Sequence, residues 1–293
     1  MKSAKILILS LLSIASVGVE SATPEMPDHN IVIFDLIKNK GQLSLANPQL
    51  IADSPGYDNQ PSFSEDSQSV FFTRIEAGNA DIWQWSKNDK KASKLISTPL
   101  SEYSPTQLPF EQDSISMVVV EKDGTQRLWK YNEKRGFSKI FESIEPVGYH
   151  VWSGKNIAMF VLGEPHQLQV TQLGQESANI VDSNIGRCLQ KVPGKELVSY
   201  TVFEDKSQRL KLYNFDTGKS KIMGLLPGIT QDYVWYDANT LISSNDGTIM
   251  SSDTDNAFKW KTLTNSSKFK LSSISRLALS KDKKKLAVVY IKP

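Results

Sequence analysis

The chain has 293 residues, 39% hydrophobic and 23% charged, with 34 basic against 32 acidic side chains, a net charge of +2 and one cysteine. That apolar content supports one large core, and the charge balance excludes a bulk electrostatic pull on nucleic acid or anionic membrane. Cys188 stands alone, which excludes an intramolecular disulfide framework; it reads as a small buried hydrophobe beside a strand.

In chain order, residues 1–21 read as a secretory signal peptide. Lys2 and Lys5 form the basic region, residues 6–19 the apolar stretch, and Val19-Glu20-Ser21 a cleavage site. The stretch is short for a membrane span and is interrupted by Ser10, Ser13 and Ser16. Without Lys2, Lys5 and Glu20 the charges are 32 and 31, a net of +1. The expectation is a periplasmic or secreted monomer, residues 22–293 forming a single domain with no membrane span after cleavage.

Short strands follow. Residues 30–36 (NIVIFDL) and 48–53 (PQLIAD) come first. Six similar segments then recur at 61–73, 107–120, 151–161, 189–202, 234–244 and 277–290, each an apolar residue, a polar turn and a second apolar strand. Anchored on Phe63, Leu108, Trp152, Val192, Trp235 and Leu279, the steps are 45, 44, 40, 43 and 44 residues. Third strands fall at 81–85 (DIWQW), 127–131 (RLWKY), 167–171 (QLQVT), 209–213 (RLKLY) and 247–251 (GTIMS). Fourth strands fall at 93–97, 138–142, 178–182, 220–224 and 259–263. A fixed period of about 43 residues built only from strands implies an all-β, six-bladed β-propeller with four-stranded antiparallel blades. The sixth unit stops after its second strand, 286–291, so the N-terminal strands are expected to complete that blade and close the ring. Most tryptophans fall at positions that repeat between blades and read as core. The basic run 281–285 falls in a turn of the last blade and reads as solvated edge protection.

The first unit, Pro61-Ser62-Phe63-Ser64-Glu65-Asp66, resembles the repeat of TolB-type propellers, Pro-Ser-Trp/Phe-Ser-Pro-Asp-Gly, and Leu279-Ser280-Lys281-Asp282 and the strands DIWQW and RLWKY are similar to it. The strings Gly56-Tyr57-Asp58-Asn59-Gln60-Pro61 and Ser101-Glu102-Tyr103-Ser104-Pro105-Thr106 resemble those of an exported TolB-like group. The resemblance spans residues 29–293 and implies an exported propeller with a partner-binding mouth, here without the α/β domain that precedes TolB's propeller.

In a propeller, the loops entering each inner strand converge on one mouth of the central channel. Here they offer Tyr57-Asp58-Asn59, Glu102-Tyr103, Tyr149-His150, Arg187, Asp232 and residues 273–276. Tyrosine and arginine combine contact area with directional hydrogen bonds, as binding hot spots require. The reading is a non-catalytic module docking a protein or peptide of the cell envelope, with no cofactor. The alternative is a metal-dependent or small-molecule hydrolase, lactonase-like, at the same mouth. It needs Asp58, Glu102, His150 and Asp232 to meet at one point.

Overall fold

The structure is a computed structural model describing residues 27–204, 207–256, 258–263 and 266–292; the expected leader, residues 1–21, lies outside them. Among the described residues no helix is long and apolar enough to cross a membrane.

The strands run in chain order as β1 (His29–Asn39), β2 (Gln42–Ala52), β3 (Asp58–Phe63), β4 (Ser69–Glu76), β5 (Asn79–Ser86), β6 (Lys91–Ile96), β7 (Ser101–Leu108) and β8 (Glu111–Val120). They continue as β9 (Gln126–Asn132), β10 (Gly136–Lys139), β11 (Val147–Ser153), β12 (Asn156–Val161), β13 (Gln167–Gln172), β14 (Asn179–Ser183), β15 (Gln190–Lys191) and β16 (Leu197–Glu204). The last eight are β17 (Ser207–Asn214), β18 (Lys219–Leu225), β19 (Tyr233–Trp235), β20 (Thr240–Asn245), β21 (Thr248–Asp253), β22 (Lys261–Thr262), β23 (Arg276–Leu279) and β24 (Lys285–Ile291). They form six four-stranded sheets. Blades I to V are β3–β6, β7–β10, β11–β14, β15–β18 and β19–β22, and blade VI is β23-β24-β1-β2.

Blade VI closes the ring as expected. His29 pairs with Ile291 and Asp35 with Lys285 along an antiparallel β1–β24 ladder. The backbone N–H of His29 also donates to the carbonyl of Gly56 at 2.7 Å, tying blade VI to the start of blade I.

Alternation of side chains along each strand explains the packing. On β1, Val32, Phe34 and Leu36 face blade V in one apolar cluster, while Ile31 and Ile33 face blade I in another. Similar clusters fill each of the other four interfaces between neighbouring blades. Six wedges of core thus surround the axis. Trp85, Trp152 and Trp235 are buried in them, as their repeating positions imply.

Boundaries move where a core side chain outweighs strand pairing. The expected strand 138–142 is realised as β10, because Phe141 leaves the ladder and is fully buried between blades II and III. The expected strand 48–53 begins earlier, at Gln42, where Leu43 and Leu45 join the core facing blade V.

Candidate functional site

The inner strands enclose a central channel of about 470 Å³. Two of them are reshaped near its entry. β3 and β7 each carry a register shift, between Asn59 and Ser62 and between Tyr103 and Thr106. Both bulges turn through a residue in the left-handed region, Gln60 at φ 57° and Ser104 at φ 55°, each followed by proline. Proline has no N–H to lose from the ladder, so an X-Pro step suits such a break. The side-chain oxygen of Gln60 accepts from Ser104 N at 2.8 Å and Thr73 Oγ1 at 3.0 Å, locking the two bulges together.

Arg187 reaches the channel because Gly186 precedes it. A Cβ on Gly186 would lie 2.2 Å from Thr201 Oγ1, so a larger residue there would force the Thr201 side chain to move. Gln231 Oε1 accepts the Arg187 backbone N–H at 3.1 Å. The guanidinium then donates through Nη2 to Asp232 Oδ2 at 2.8 Å and to the Ser275 carbonyl at 2.9 Å. Arg276 Nη1 donates to Asp232 Oδ1 at 3.3 Å, and its Nη2 donates to Tyr149 Oη at 2.9 Å. The Arg276 guanidinium also stands 4.9 Å from the Tyr149 ring centre. One network therefore joins residues of four blades around the entry.

Its electrostatics follow from burial. Desolvation pushes the Asp232 carboxyl above its usual range, opposed by Arg187. Desolvation is the largest influence on Arg187 and works against its cation, but the charge and hydrogen bond of Asp232, together with Tyr149 and Tyr57, outweigh it and keep the group protonated. Tyr149 and Tyr57 are pushed up by burial and stay neutral phenols. Tyr57 packs edge-on against His29, with ring centres 5.4 Å apart.

Of the expected site residues, Tyr149, His150, Arg187 and Asp232 line the channel. Tyr57 and Tyr103 are half-buried and do not line it; they belong to the segments entering β3 and β7, and Tyr103 also packs against the core between blades II and III. Asp58, Asn59 and Glu102 are buried and do not line it. Asp58 accepts from Arg74 Nε at 2.6 Å, Arg74 Nη2 at 3.1 Å and Ser54 N at 2.9 Å. Arg74 in turn stacks 4.3 Å over Trp83, so this is a blade I clamp. The side-chain oxygen of Asn59 accepts from Gln60 N, supporting the bulge. Glu102 accepts from Thr98 Oγ1, and its other oxygen has no hydrogen-bond partner among the described residues.

His150 is a latch between blades. Ser116 has one hydroxyl proton, placed to reach the Thr106 carbonyl at 3.0 Å, so His150 Nε2–H donates to Ser116 Oγ at 2.8 Å. Trp152 Nε1 donates to the same oxygen at 3.0 Å. The device recurs two blades on, where Tyr233 Oη and Trp235 Nε1 both donate to Ser199 Oγ at 2.9 and 2.8 Å. Burial lowers the His150 pKa to about 3, so the ring is neutral. Burial likewise pushes the Cys188 thiol up to about 12.

Among the described residues no three His, Cys, Asp or Glu side chains come close enough to hold a metal ion. The residue that sequence reasoning underweighted is Arg276. It stands inside the 273–276 entry segment, and its signal was being the one charge there.

The fold and this channel define a TolB-like six-bladed β-propeller. No protein-family model matches the chain, and no curated protein matches it in sequence. Solved structures match the fold. The putative TolB from Agrobacterium tumefaciens aligns with a TM-score of 0.67 at 11% identity, covering 91% of this chain and 99% of that one. A chain of a nidogen/laminin complex aligns at 0.65 and 11%, covering 85% and 97%. TolB from Acinetobacter baumannii aligns at 0.60 and 12% over 81% of this chain and 64% of its own, so this chain spans less than two thirds of that protein. At such identities the likeness carries the fold.

Proposed function

We propose that the chain is an exported, non-catalytic binding module that docks a protein or peptide of the cell envelope on the entry mouth of its channel. The observation that carries this reading is the preorganised network of Arg187, Asp232, Arg276 and Tyr149, flanked by half-buried Tyr57 and Tyr103. Arginines fixed by a buried carboxylate lose little side-chain freedom on binding, and tyrosines add contact area at low entropic cost. A propeller-fold chain in a nidogen/laminin complex lends support from a protein assembly of the same architecture. The dispersal of Asp58, Glu102 and His150 into separate structural roles favours docking over the hydrolase alternative.

A thermal-shift screen tests the reading, using divalent metals, a chelator, lactones, sugars and pools of short peptides. A ligand at about 100 times its Kd stabilises by about 2.7 kcal/mol. Peptide pools are expected to raise the melting temperature, and Tyr149→Ala is expected to remove the rise. A rise that needs a metal or lactone and disappears in Glu102→Ala/His150→Ala would replace the docking reading by the hydrolase.

A further inference from the structure

The charges lining the channel do not mirror the near-neutral chain. Arg187 and Arg276 face it at the entry and Lys191, Lys281 and Lys283 at the exit, against Asp232 and Glu65. Five cations against two carboxylates leave +3 on this lining, where the whole chain carries +2. His150, neutral at physiological pH, adds nothing. Of the basic run 281–285, Lys281 and Lys283 line the channel.

Ion pairs with carboxylates offset this charge only in part. Both arginines share Asp232, and the buried Nε of Arg187 has no hydrogen-bond partner among the described residues. At the exit, Glu65 pairs with Lys281 at 2.7 Å and Glu196 more loosely with Lys191 at 3.7 Å. Lys283 lies 5.6 Å over the Tyr236 ring and has no carboxylate partner among the described residues. A cleft lined by one sign of charge between low-dielectric walls concentrates ions of the other sign.

Between the two ends the wall is mixed: Val151, Leu189, Val234 and Leu277, which also pack in the wedges between blades, alternate with polar Ser62, Thr106, Gln107 and Gln190. The ends are one inner strand apart, roughly 13–16 Å at ~3.3 Å per residue. An extended peptide places carboxylates at the ends and apolar side chains between them.

We propose that the channel receives an acidic peptide segment of a partner protein. Its carboxylates meet Arg187 and Arg276 at the entry and Lys281 and Lys283 at the exit, with its apolar side chains against the wall. This rests on the mouth-docking reading and names the chemistry of the partner.

The test is fluorescence anisotropy of a labelled decapeptide of Glu, Leu and Gly on the purified protein. A Gln-for-Glu version and an oligouronate of equal charge run alongside. Lys281→Glu/Lys283→Glu, on an exit turn remote from the blade cores, is the principal variant, its fold checked by its melting curve. The acidic peptide is expected to bind and the Gln version to bind at least about tenfold more weakly. The double reversal should lose about tenfold or more, and binding should weaken from about 0.01 M to 1 M salt as the Debye length falls from ~30 to ~3 Å. Failure of the acidic peptide to bind, equal binding of both peptides, or an unchanged Kd in the reversal overturns this inference. Equal binding leaves the docking reading standing. Binding of the oligouronate in place of peptide, with loss in the reversal, sinks both.

Discussion

Glu102 shows what burial does to a single carboxyl in this ring. It is fully buried, bonded by Thr98 on one oxygen and by none of the described residues on the other, and desolvation raises its pKa to about 7. In the unfolded chain it titrates near 4.5. The folded state therefore holds the proton more tightly, and stability falls as pH rises from about 4.5 to about 7, then levels off. The loss is of order 3 kcal/mol from this group. Glu102→Gln removes the titration. Its melting temperature is expected to match that of the parent near pH 4.5 and to exceed it near pH 8; a gap of the same size at both pH values would contradict this. The residue types at the mouth were legible in sequence, but their partners were not. Asp58 reads as a ligand until Arg74, on the neighbouring strand, is seen to take both its oxygens. His150 reads as a partner-binding residue or metal ligand until Ser116 of the preceding blade takes Nε2. Periodicity places a side chain at the mouth; it does not say whether that side chain turns toward the axis or into the blade.

At the scale of elements, the strands follow from alternation and the wedges between blades from its two faces. Where the prediction slipped, as at β10, one aromatic side chain had more to gain from the core than the strand had from a further ladder bond. The serine latches are the polar counterpart of this packing. Ser199 donates to the Gln190 carbonyl at 3.2 Å and accepts from both Tyr233 and Trp235. Ser199→Ala would strand two buried donors, each costing about 1–3 kcal/mol. The expected destabilisation is about 2–4 kcal/mol, a fall in melting temperature of roughly 5–15 °C at ~2–4 °C per kcal/mol. Tyr233→Phe in the Ser199→Ala background should cost less than it does alone, because its donor is already unpaired. Additive losses in calorimetry would mean that the latch is not a unit.

At the scale of the whole molecule, ring closure and the channel come from the same topology. Pairing β1 with β24 places residues 250 positions apart on one ladder, such as Asp35 and Lys285. Closure holds six inner strands around one axis, and that brings Tyr149 of blade III onto Arg276 of blade VI. The period in the sequence was enough to expect this ring and its mouth. It could not show that the cations converge on the axis, because that depends on blade tilt and on the bulges at Gln60 and Ser104. The proposed docking function resides at the entry mouth. It is tested most directly by photo-cross-linking in cells, with the photoreactive residue at Tyr57 or Tyr103 on the mouth and at Ile180 or Ile222 on the rim. One discrete protein adduct is expected from the mouth positions, absent from the rim and competed away by the acidic decapeptide. Adducts from the rim with none from the mouth would contradict the account.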